Sequence, residues 1–163
     1  LRSIIQIDTL ISTGNERIGF GCMQNNQSVR LAGDVGYAIL LSVESDSTGF
    51  INPQVVMLKY DGGISALSTE LASTSLSPSP VLGSPFVFEA EWVSDIPQFG
   101  GVILKARFAN GTDFGMMTEV LATTDVSSPL STSMAEGIVV DFSDPFGAFD
   151  VRWDNTSVFS LKV

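Results

Sequence analysis

The chain has 163 residues, a length at which one domain buries about 70% of the surface that its unfolded form exposes. Eighteen acidic residues against eight basic residues give a net charge of −10, which argues against nucleic acid and anionic lipid as direct partners. Histidine is absent, which removes the commonest general base and the commonest neutral metal ligand.

Further features of the sequence indicate the cellular compartment in which the chain folds and its relation to membranes. Cys22 is the sole cysteine, which excludes an internal disulfide and fits folding in a reducing compartment; its apolar neighbours Phe20 and Met23 predict a buried thiol. The longest apolar runs fall far short of the roughly 20 residues that a membrane helix needs, so we expect no membrane insertion. Because the sequence opens with Leu1 in place of Met, we expect a domain of a longer protein.

The first part of the chain has the pattern of short strands separated by polar turns. Alternation of apolar and polar residues predicts strands over 3–10 and 17–23, and two glycines in the second of these predict a bulge or a close backbone approach. A continuous apolar run predicts that 37–44 lies near the middle of a sheet. Residues 53–60 and 64–71 flank an Asp-Gly-Gly turn and predict a hairpin, with a short helix as the alternative for the second arm.

The most specific pattern lies in the middle of the chain, over residues 86–108. In its first arm aromatic and apolar residues alternate with acidic residues, and in its second arm apolar residues alternate with basic residues. A single antiparallel register satisfies both charge and packing. Its pairs are Glu91–Lys105, Glu89–Arg107, Trp92–Leu104, Ala90–Ala106 and Phe88–Phe108.

The remainder of the chain consists of long polar loops and further strands. Residues 72–85 are rich in Ser and Pro and predict an exposed loop that crosses from one sheet to the other. Residues 137–142 predict a strand, and 148–163 predict a final hairpin in which Trp153 pairs with Phe159. We count about nine or ten strands and no long helix. The sequence therefore predicts a single all-β domain over 1–163, an antiparallel β-sandwich or a jelly-roll-like barrel.

No combination of residues predicts catalysis. A serine nucleophile would need Lys59, Lys105 or Lys162 as its base, and no SxxK spacing joins a serine to any of them. Glu89 and Glu91 lie two apart on one strand, roughly 7 Å, a spacing compatible with an inverting glycosidase. The basic residues opposite would keep both ionised, whereas a general acid needs a raised pKa. We expect no enzyme, and a hydrolase remains an option only because distant carboxylates can meet in space.

Four aspartates in the last quarter of the chain are the candidate metal ligands. Ca²⁺ binds oxygen ligands, and strand ends and turns of β-domains bind it with irregular spacings. The alternative is that these aspartates are turn residues on solvated faces. No other cofactor is indicated. The candidate Ca²⁺ ligands are Asp141, Asp144, Asp150 and Asp154.

In overall character the chain resembles the protruding domains of capsid proteins from small non-enveloped RNA viruses. The features behind this resemblance are the loops ASTSLSPSPVLGSP and TTDVSSPLSTS, the absence of histidine and the absence of a basic genome-binding arm. The resemblance includes no diagnostic motif, so it transfers no functional residue. It implies a structural, non-enzymatic role at the virion surface after folding in the host cytoplasm. It also implies association as dimers or trimers within a larger assembly, and attachment to a host receptor or glycan through surface loops.

For contacts between copies, the predicted surface carries Phe114, Met116 and Met117, since Met and Phe are enriched at interfaces. Core packing is the alternative for these three residues. A second function remains open, that of a carbohydrate-binding or adhesin domain on the extracellular surface of a cell or on a phage tail. Sugars stack on Trp and Tyr, and both tryptophans are predicted to face the core. Tyr37 and Tyr60 are then the remaining candidates.

Overall fold

A computed structural model describes residues 1–11, 16–23, 35–46, 49–61, 68–95, 100–130, 135–141 and 148–157. Over these residues the protein is a β-sandwich of two antiparallel sheets with five strands each. The predicted all-β sandwich is confirmed, and the ten described strands agree with the expected nine or ten. None of the described residues belongs to a helix long and apolar enough to cross a bilayer.

Ten strands and one 3₁₀ turn make up the described secondary structure. In order the strands are β1 Arg2–Ile11, β2 Glu16–Met23, β3 Val35–Asp46, β4 Gly49–Asp61, β5 Ser68–Ser75, β6 Pro85–Asp95, β7 Gly101–Asn110, β8 Thr118–Asp125, β9 Ala135–Asp141 and β10 Ala148–Ser157. A 3₁₀ turn, η1, covers Phe114–Met116 between β7 and β8.

The strand order defines the two sheets. Sheet A has the order β10-β1-β6-β7-β8, and sheet B has the order β5-β4-β3-β2-β9. Consecutive strands β2 to β5 run across sheet B and β6 to β8 run across sheet A. The connections after β1, β5, β8 and β9 pass from one sheet to the other. β5 and β8 contact each other along one long side of the sandwich, and β9 and β10 are the outermost strands at the other.

The hairpin and the crossing loop predicted around β5 are confirmed, with shifted boundaries. β5 is a strand and not a helix, and it pairs with β4 from Ser68 opposite Tyr60 to Ser75 opposite Gln54. The polar stretch therefore continues the strand to Ser75 before residues 76–84 cross to sheet A. Thr74 has a high β propensity and continues this edge strand, so the loop begins later than its composition predicts.

β3 lies at the centre of sheet B, as its continuous apolar sequence predicts. Tyr37, Ile39 and Leu41 face sheet A, and Ala38 and Leu40 face the opposite side of sheet B. All five have an exposed fraction of 0%. A strand that is buried on both faces needs no polar alternation, and this explains the run YAILL.

Aromatic side chains from both sheets fill the space between them. Phe20 of sheet B stacks on Phe88 of sheet A with 6.0 Å between ring centroids, and Trp153 meets Phe20 edge-on at 5.7 Å. Phe86 and Phe108 form a further pair at 5.6 Å within sheet A. Burying one such side chain contributes about 1.5–3 kcal/mol to the free energy of folding, so these aromatic side chains stabilise the packing of the two sheets. Both tryptophans pack half-buried against this core, as predicted.

The register of β6 and β7 is the predicted one at every position. The observed pairs include Glu91–Lys105, Glu89–Arg107, Trp92–Leu104, Ala90–Ala106 and Phe88–Phe108. The ion pairs differ in one respect: Arg107 pairs with Glu89 and also, at 3.0 Å between Nη2 and Oε2, with Glu91.

The predicted terminal hairpin is wrong. β10 continues as a strand to Ser157 and pairs with β1, where Trp153 lies opposite Ile5. Asn155 has a positive φ of 51° and lies at an irregularity in the β1–β10 register. The strand continues past it to Ser157 and does not reverse direction there. The alternation of apolar residues correctly predicts which face of β10 is buried, but such a pattern does not determine the strand's partner. Phe159, the expected partner, lies outside the described residues.

Candidate functional site

A buried polar cluster joins the two sheets at the end of β8. Lys59 Nζ lies 2.7 Å from Asp125 Oδ2, and the Tyr37 hydroxyl donates a hydrogen bond of 2.8 Å to the same oxygen. Tyr37 and Lys59 are register partners on β3 and β4 of sheet B, and Asp125 ends β8 in sheet A. The backbone N–H of Leu130 donates to the Tyr37 hydroxyl at 3.0 Å. The exposed fractions of Tyr37, Asp125 and Lys59 are 0%, 3% and 9%.

The loop after β8 supplies the remaining partners of this cluster. Lys59 donates to the carbonyl oxygens of Ser127 and Ser128 at 2.5 and 2.9 Å. The backbone N–H of Ser127 donates to Asp125 Oδ1 at 2.9 Å. The ammonium group thus has three acceptors and both carboxylate oxygens have donors, so the buried charges are paired and hydrogen-bonded.

Electrostatics keep the Asp125 carboxylate ionised and the Tyr37 hydroxyl protonated near neutral pH. Burial alone would raise the pKa of Asp125, but hydrogen bonds from Lys59, Tyr37 and Ser127 outweigh it and lower that pKa below its usual 3.8. Burial raises the pKa of Tyr37, and the Asp125 carboxylate raises it further. A general acid or base works best with a pKa near the operating pH, so this arrangement fits a structural anchor for the loop after β8 better than a catalytic centre.

One signal in the sequence points towards this cluster. Lys59 occupies an apolar strand at a position opposite Tyr37, and both side chains face sheet A. Lysine is almost never buried without a partner, so a core-facing lysine implies a carboxylate nearby. Asp125 is far away along the chain, and only the fold brings it to Lys59.

The carboxylate pair considered for glycoside hydrolysis is bound by one arginine on the outer face of sheet A, where the prediction paired Glu91 with Lys105 and Glu89 with Arg107. Arg107 contacts both Glu89 and Glu91, and the side chains of these two glutamates are 6% and 12% exposed. The hydrogen bond to Glu89 raises the pKa of Arg107 further above its ordinary value. One guanidinium therefore binds both carboxylates and ties them to the strand pair β6–β7.

Two of the four Ca²⁺ candidates are described, and the structure does not bring them together. Asp150 and Asp154 are exposed on β10 and lie four residues apart, about 13 Å along a strand. Ca²⁺ needs its oxygen ligands within about 2.6 Å, so these two side chains cannot share an ion. The Asp141 side chain and all of Asp144 lie outside the described part of the chain. The described residues contain no group of three or more potential ligands, and the four-residue site stays a prediction.

The predicted apolar interface lies at η1, where its three residues have different surroundings. Phe114 is half-buried, with the guanidinium carbon of Arg2 4.7 Å from its ring centroid. Met116 is 67% exposed, and Met117 is half-buried. Asp113 caps the turn by accepting a hydrogen bond of 2.8 Å from the Gly115 N–H. Of the three, Met116 therefore offers the large apolar surface to a partner.

Two loops and a strand terminus lie at the same end of the sandwich, which we call the loop end. Loop 76–84 enters β6 there, loop 111–117 leaves β7 there, and β1 ends there at Ile11. Each presents one exposed apolar side chain: Val81 is 59% exposed, Met116 67% and Ile11 63%. Isolated exposed apolar residues are common; these three lie on the loops and strand terminus of one end, the kind of place where binding residues concentrate.

Loop 76–84 is fixed to the sandwich on both sides. The Gly83 N–H donates to the Ile7 carbonyl of β1 at 2.8 Å. On the other side Asn110, at the end of β7, donates through Nδ2 to the Ser79 carbonyl at 3.1 Å. Hydrogen bonds to two strands hold the loop in one shape, which lowers the ordering cost that a binding loop would otherwise incur.

Comparison with known proteins finds no matching family model, no matching curated protein and no matching solved structure. The functional conclusion therefore depends on the geometry of the sandwich and its loops.

Proposed function

We propose that this chain is a structural, non-enzymatic domain that projects from the capsid of a small non-enveloped RNA virus and contacts the host receptor through its loop end. The observation that carries the proposal is the loop end itself: ordered loops on a rigid sandwich, with exposed apolar residues at their tips. A rigid scaffold that presents loops is a common way to build an attachment surface. The acidic composition agrees with a domain on the outside of a shell, away from the genome.

Two arrangements of charged groups in the described residues also support a structural role. Asp125 and Lys59 neutralise each other inside the sandwich, and Arg107 holds Glu89 and Glu91 on the outer face of sheet A. In both, the hydrogen-bonding groups point to each other and stabilise strand or sheet contacts. Neither leaves a titratable group directed at a bound molecule.

The carbohydrate-binding alternative has less support. The tyrosines considered for stacking on a sugar, Tyr37 and Tyr60, have exposed fractions of 0% and 5%. Trp92 and Trp153 pack half-buried against the core. A sugar ring needs an accessible aromatic face, and none of these four side chains offers a fully exposed one.

The location on a virion can be tested by immunogold electron microscopy. The gene that encodes this chain is expressed, and particles are labelled with an antibody raised against residues 76–84. A matched antibody against residues 35–46, the buried β3, serves as the control. We expect the first antibody to label intact particles and the second to label only denatured protein. Absence of particles, or labelling by the loop antibody only after disruption, would refute the proposed location.

Receptor contact by the loop end needs a separate experiment. The domain is coupled to fluorescent beads, and binding to a panel of candidate host cells is compared with that of the double variant Val81→Asp/Met116→Asp. Val126→Asp is the control, since Val126 is 66% exposed but follows β8 at the opposite end of the sandwich. We expect the loop-end variant to lose binding and Val126→Asp to retain it. Equal binding by all three proteins would exclude the loop end as the attachment surface.

A further inference from the structure

β7 ends in an asparagine that is followed directly by a glycine. Asn110 pairs with Phe86 at the last position of the β6–β7 ladder, and its side chain is exposed. Gly111 has a φ of 94° and begins the segment that leads to η1. The two residues therefore lie at the loop end, where water reaches them.

An Asn-Gly pair can rearrange without an enzyme, because the amide nitrogen of the second residue can attack the side-chain carbonyl carbon of the first. Most residues at the second position obstruct this attack through their Cβ. Gly111 has no Cβ, and no described atom lies within 4 Å of the place that a Cβ would occupy. The approach of Gly111 N to Asn110 Cγ is therefore sterically open.

We propose that Asn110 is a site of spontaneous deamidation, and that its conversion to aspartate or isoaspartate releases loop 76–84 from β7. The Gly111 nitrogen loses its proton and bonds to Asn110 Cγ, while the Cγ–Nδ2 bond breaks and Nδ2 leaves with a proton as ammonia. The product of this step is a succinimide ring. Water then adds to either ring carbonyl carbon and breaks its bond to nitrogen, which gives aspartate or isoaspartate. The reaction consumes water, releases ammonia and changes no oxidation state.

A hydrogen bond in the folded protein restrains the first step. The Gly111 N–H donates to the Pro85 carbonyl oxygen at 2.8 Å, and the nitrogen must leave this bond before it attacks Asn110 Cγ. The bond lies just beyond the last pair of the β6–β7 ladder, where opening requires no unfolding of the sandwich. The net strength of one hydrogen bond corresponds to a reaction about tenfold slower in native protein than in unfolded protein.

The amide group that the reaction removes is the one that connects β7 to loop 76–84. Asn110 Nδ2 donates to the Ser79 carbonyl oxygen at 3.1 Å. An ionised carboxylate has no proton to donate, so the product directs a negative charge at another hydrogen-bond acceptor. The loop then keeps the hydrogen bond from Gly83 to Ile7 of β1 but loses its side-chain bond to β7.

Isoaspartate also changes the second loop of this end. In isoaspartate the main chain runs through Cγ, so the backbone gains one carbon between Asn110 Cα and Gly111 N. The added carbon displaces the Gly111 N–H from Pro85 and changes the start of loop 111–117, which carries the exposed Met116. One covalent event at Asn110 therefore alters both loops of the loop end.

Peptide mass spectrometry after prolonged incubation at mildly alkaline pH measures the reaction, with enzymatic methylation to identify isoaspartate. We expect both products at Asn110 in native protein, formed about tenfold more slowly than in urea. Two other asparagines serve as internal controls. Asn52 precedes Pro53, whose nitrogen has no proton to lose, and Asn155 precedes Thr156, whose branched Cβ obstructs the attack. Both should remain intact over the period in which Asn110 reacts.

Limited proteolysis measures the release of the loop. Asn110→Asp carries the aspartate product, and Asn155→Asp adds the same charge to an exposed residue of β10 away from the loop end. In loop 76–84 a protease that cleaves after small apolar residues meets Val81, which is 59% exposed. We expect Asn110→Asp to be cut in this loop several-fold faster than the unmodified protein, and Asn155→Asp to be cut at the unmodified rate. Deamidated protein separated by ion exchange gives the same comparison without a variant.

Each step of the proposal has its own contrary result. An Asn110 that stays intact in native protein, or reacts no faster than Asn155, would overturn the modification. Equal rates in native protein and in urea would overturn the restraint by the hydrogen bond to Pro85. Equal cleavage of the two aspartate variants would overturn the release of the loop. None of these measurements involves a receptor or a particle, so their outcome is independent of the proposed attachment function.

Discussion

Lys59 of sheet B and Asp125 of sheet A form a buried ion pair, with 2.7 Å between Nζ and Oδ2. Removing two charges from water costs several kcal/mol per ion, and the pair offsets this cost only while both partners and their hydrogen bonds are present. Tyr37 and the carbonyl oxygens of Ser127 and Ser128 complete those hydrogen bonds. The loss of one partner therefore leaves the other charge buried and unpaired.

Asp125→Ala should lower the free energy of unfolding by about 3–5 kcal/mol, because it leaves the Lys59 ammonium buried without its carboxylate. Urea unfolding followed by circular dichroism measures this change. The control is Asp8→Ala, which removes the ion pair with Arg152, whose side chain is 68% exposed. An exposed pair contributes about 1 kcal/mol or less. Equal losses for the two variants would show that the buried pair does not hold the sheets together.

The Asp125 carboxylate should also make the free energy of unfolding depend on pH in the acidic range. The pKa of Asp125 is lowered in the folded protein, whereas its ordinary value is 3.8. The contribution of its ionised form is therefore complete above that ordinary value and is lost as the pH falls below it through the folded pKa. We expect the difference in unfolding free energy between the unmodified protein and Asp125→Asn to be constant near neutral pH and to shrink below pH 3.8.

Urea titrations of both proteins at a series of pH values measure this difference. The contributions of Asp8 and of the other carboxylates are common to both proteins and cancel in the comparison. A difference that stays constant into strong acid would contradict the lowered pKa of Asp125.

Local patterns predict those parts of the fold in which both partners are close in sequence. The β6–β7 register follows from residues 86–108 alone, because charge and packing select the same pairs there. The position of β3 at the centre of a sheet is predictable because a strand buried on both faces has no polar alternation.

Partners that are distant in sequence cannot be predicted in the same way. The alternation in β10 is equally compatible with pairing to a following strand and with pairing to β1. Which strand becomes the partner depends on the order of strands in the whole sheet. The cluster of Lys59, Tyr37 and Asp125 and the meeting of loops 76–84 and 111–117 at one end likewise depend on topology. Polar composition indicates that these segments are loops, but not that they are neighbours.

Cys22 should be unreactive in the folded protein. Cys22 is 2% exposed, and burial raises the pKa of its thiol to about 12. Because the thiolate is the reactive form, the reactive fraction near pH 8 is about a thousandfold smaller than for a thiol of ordinary pKa 9.0. We expect a disulfide reagent to label no thiol in native protein and one thiol per chain in urea. Rapid labelling without urea would mean that β2 opens under native conditions.

Gly19→Ala should destabilise the sandwich through steric overlap. A Cβ at this position would lie 2.9 Å from Leu40 Cα and 3.2 Å from Phe88 Cε1, and would also overlap the Ile39 carbonyl oxygen. Backbone atoms of the central strand β3 cannot move aside cheaply, so we expect a loss of about 1–3 kcal/mol in the free energy of unfolding.

Gly137→Ala is the matched control for this substitution. Gly137 lies on β9, which pairs with β2 on the side away from β3. No atom lies within 4 Å of the Cβ that alanine would add there. Its effect should remain within about 0.5 kcal/mol, as for most surface substitutions. Both variants are compared by urea unfolding under the same conditions. A similar cost for the two would mean that loss of glycine itself matters, whereas a cost confined to Gly19→Ala would identify the close approach of β2 and β3 as the reason for glycine at this position.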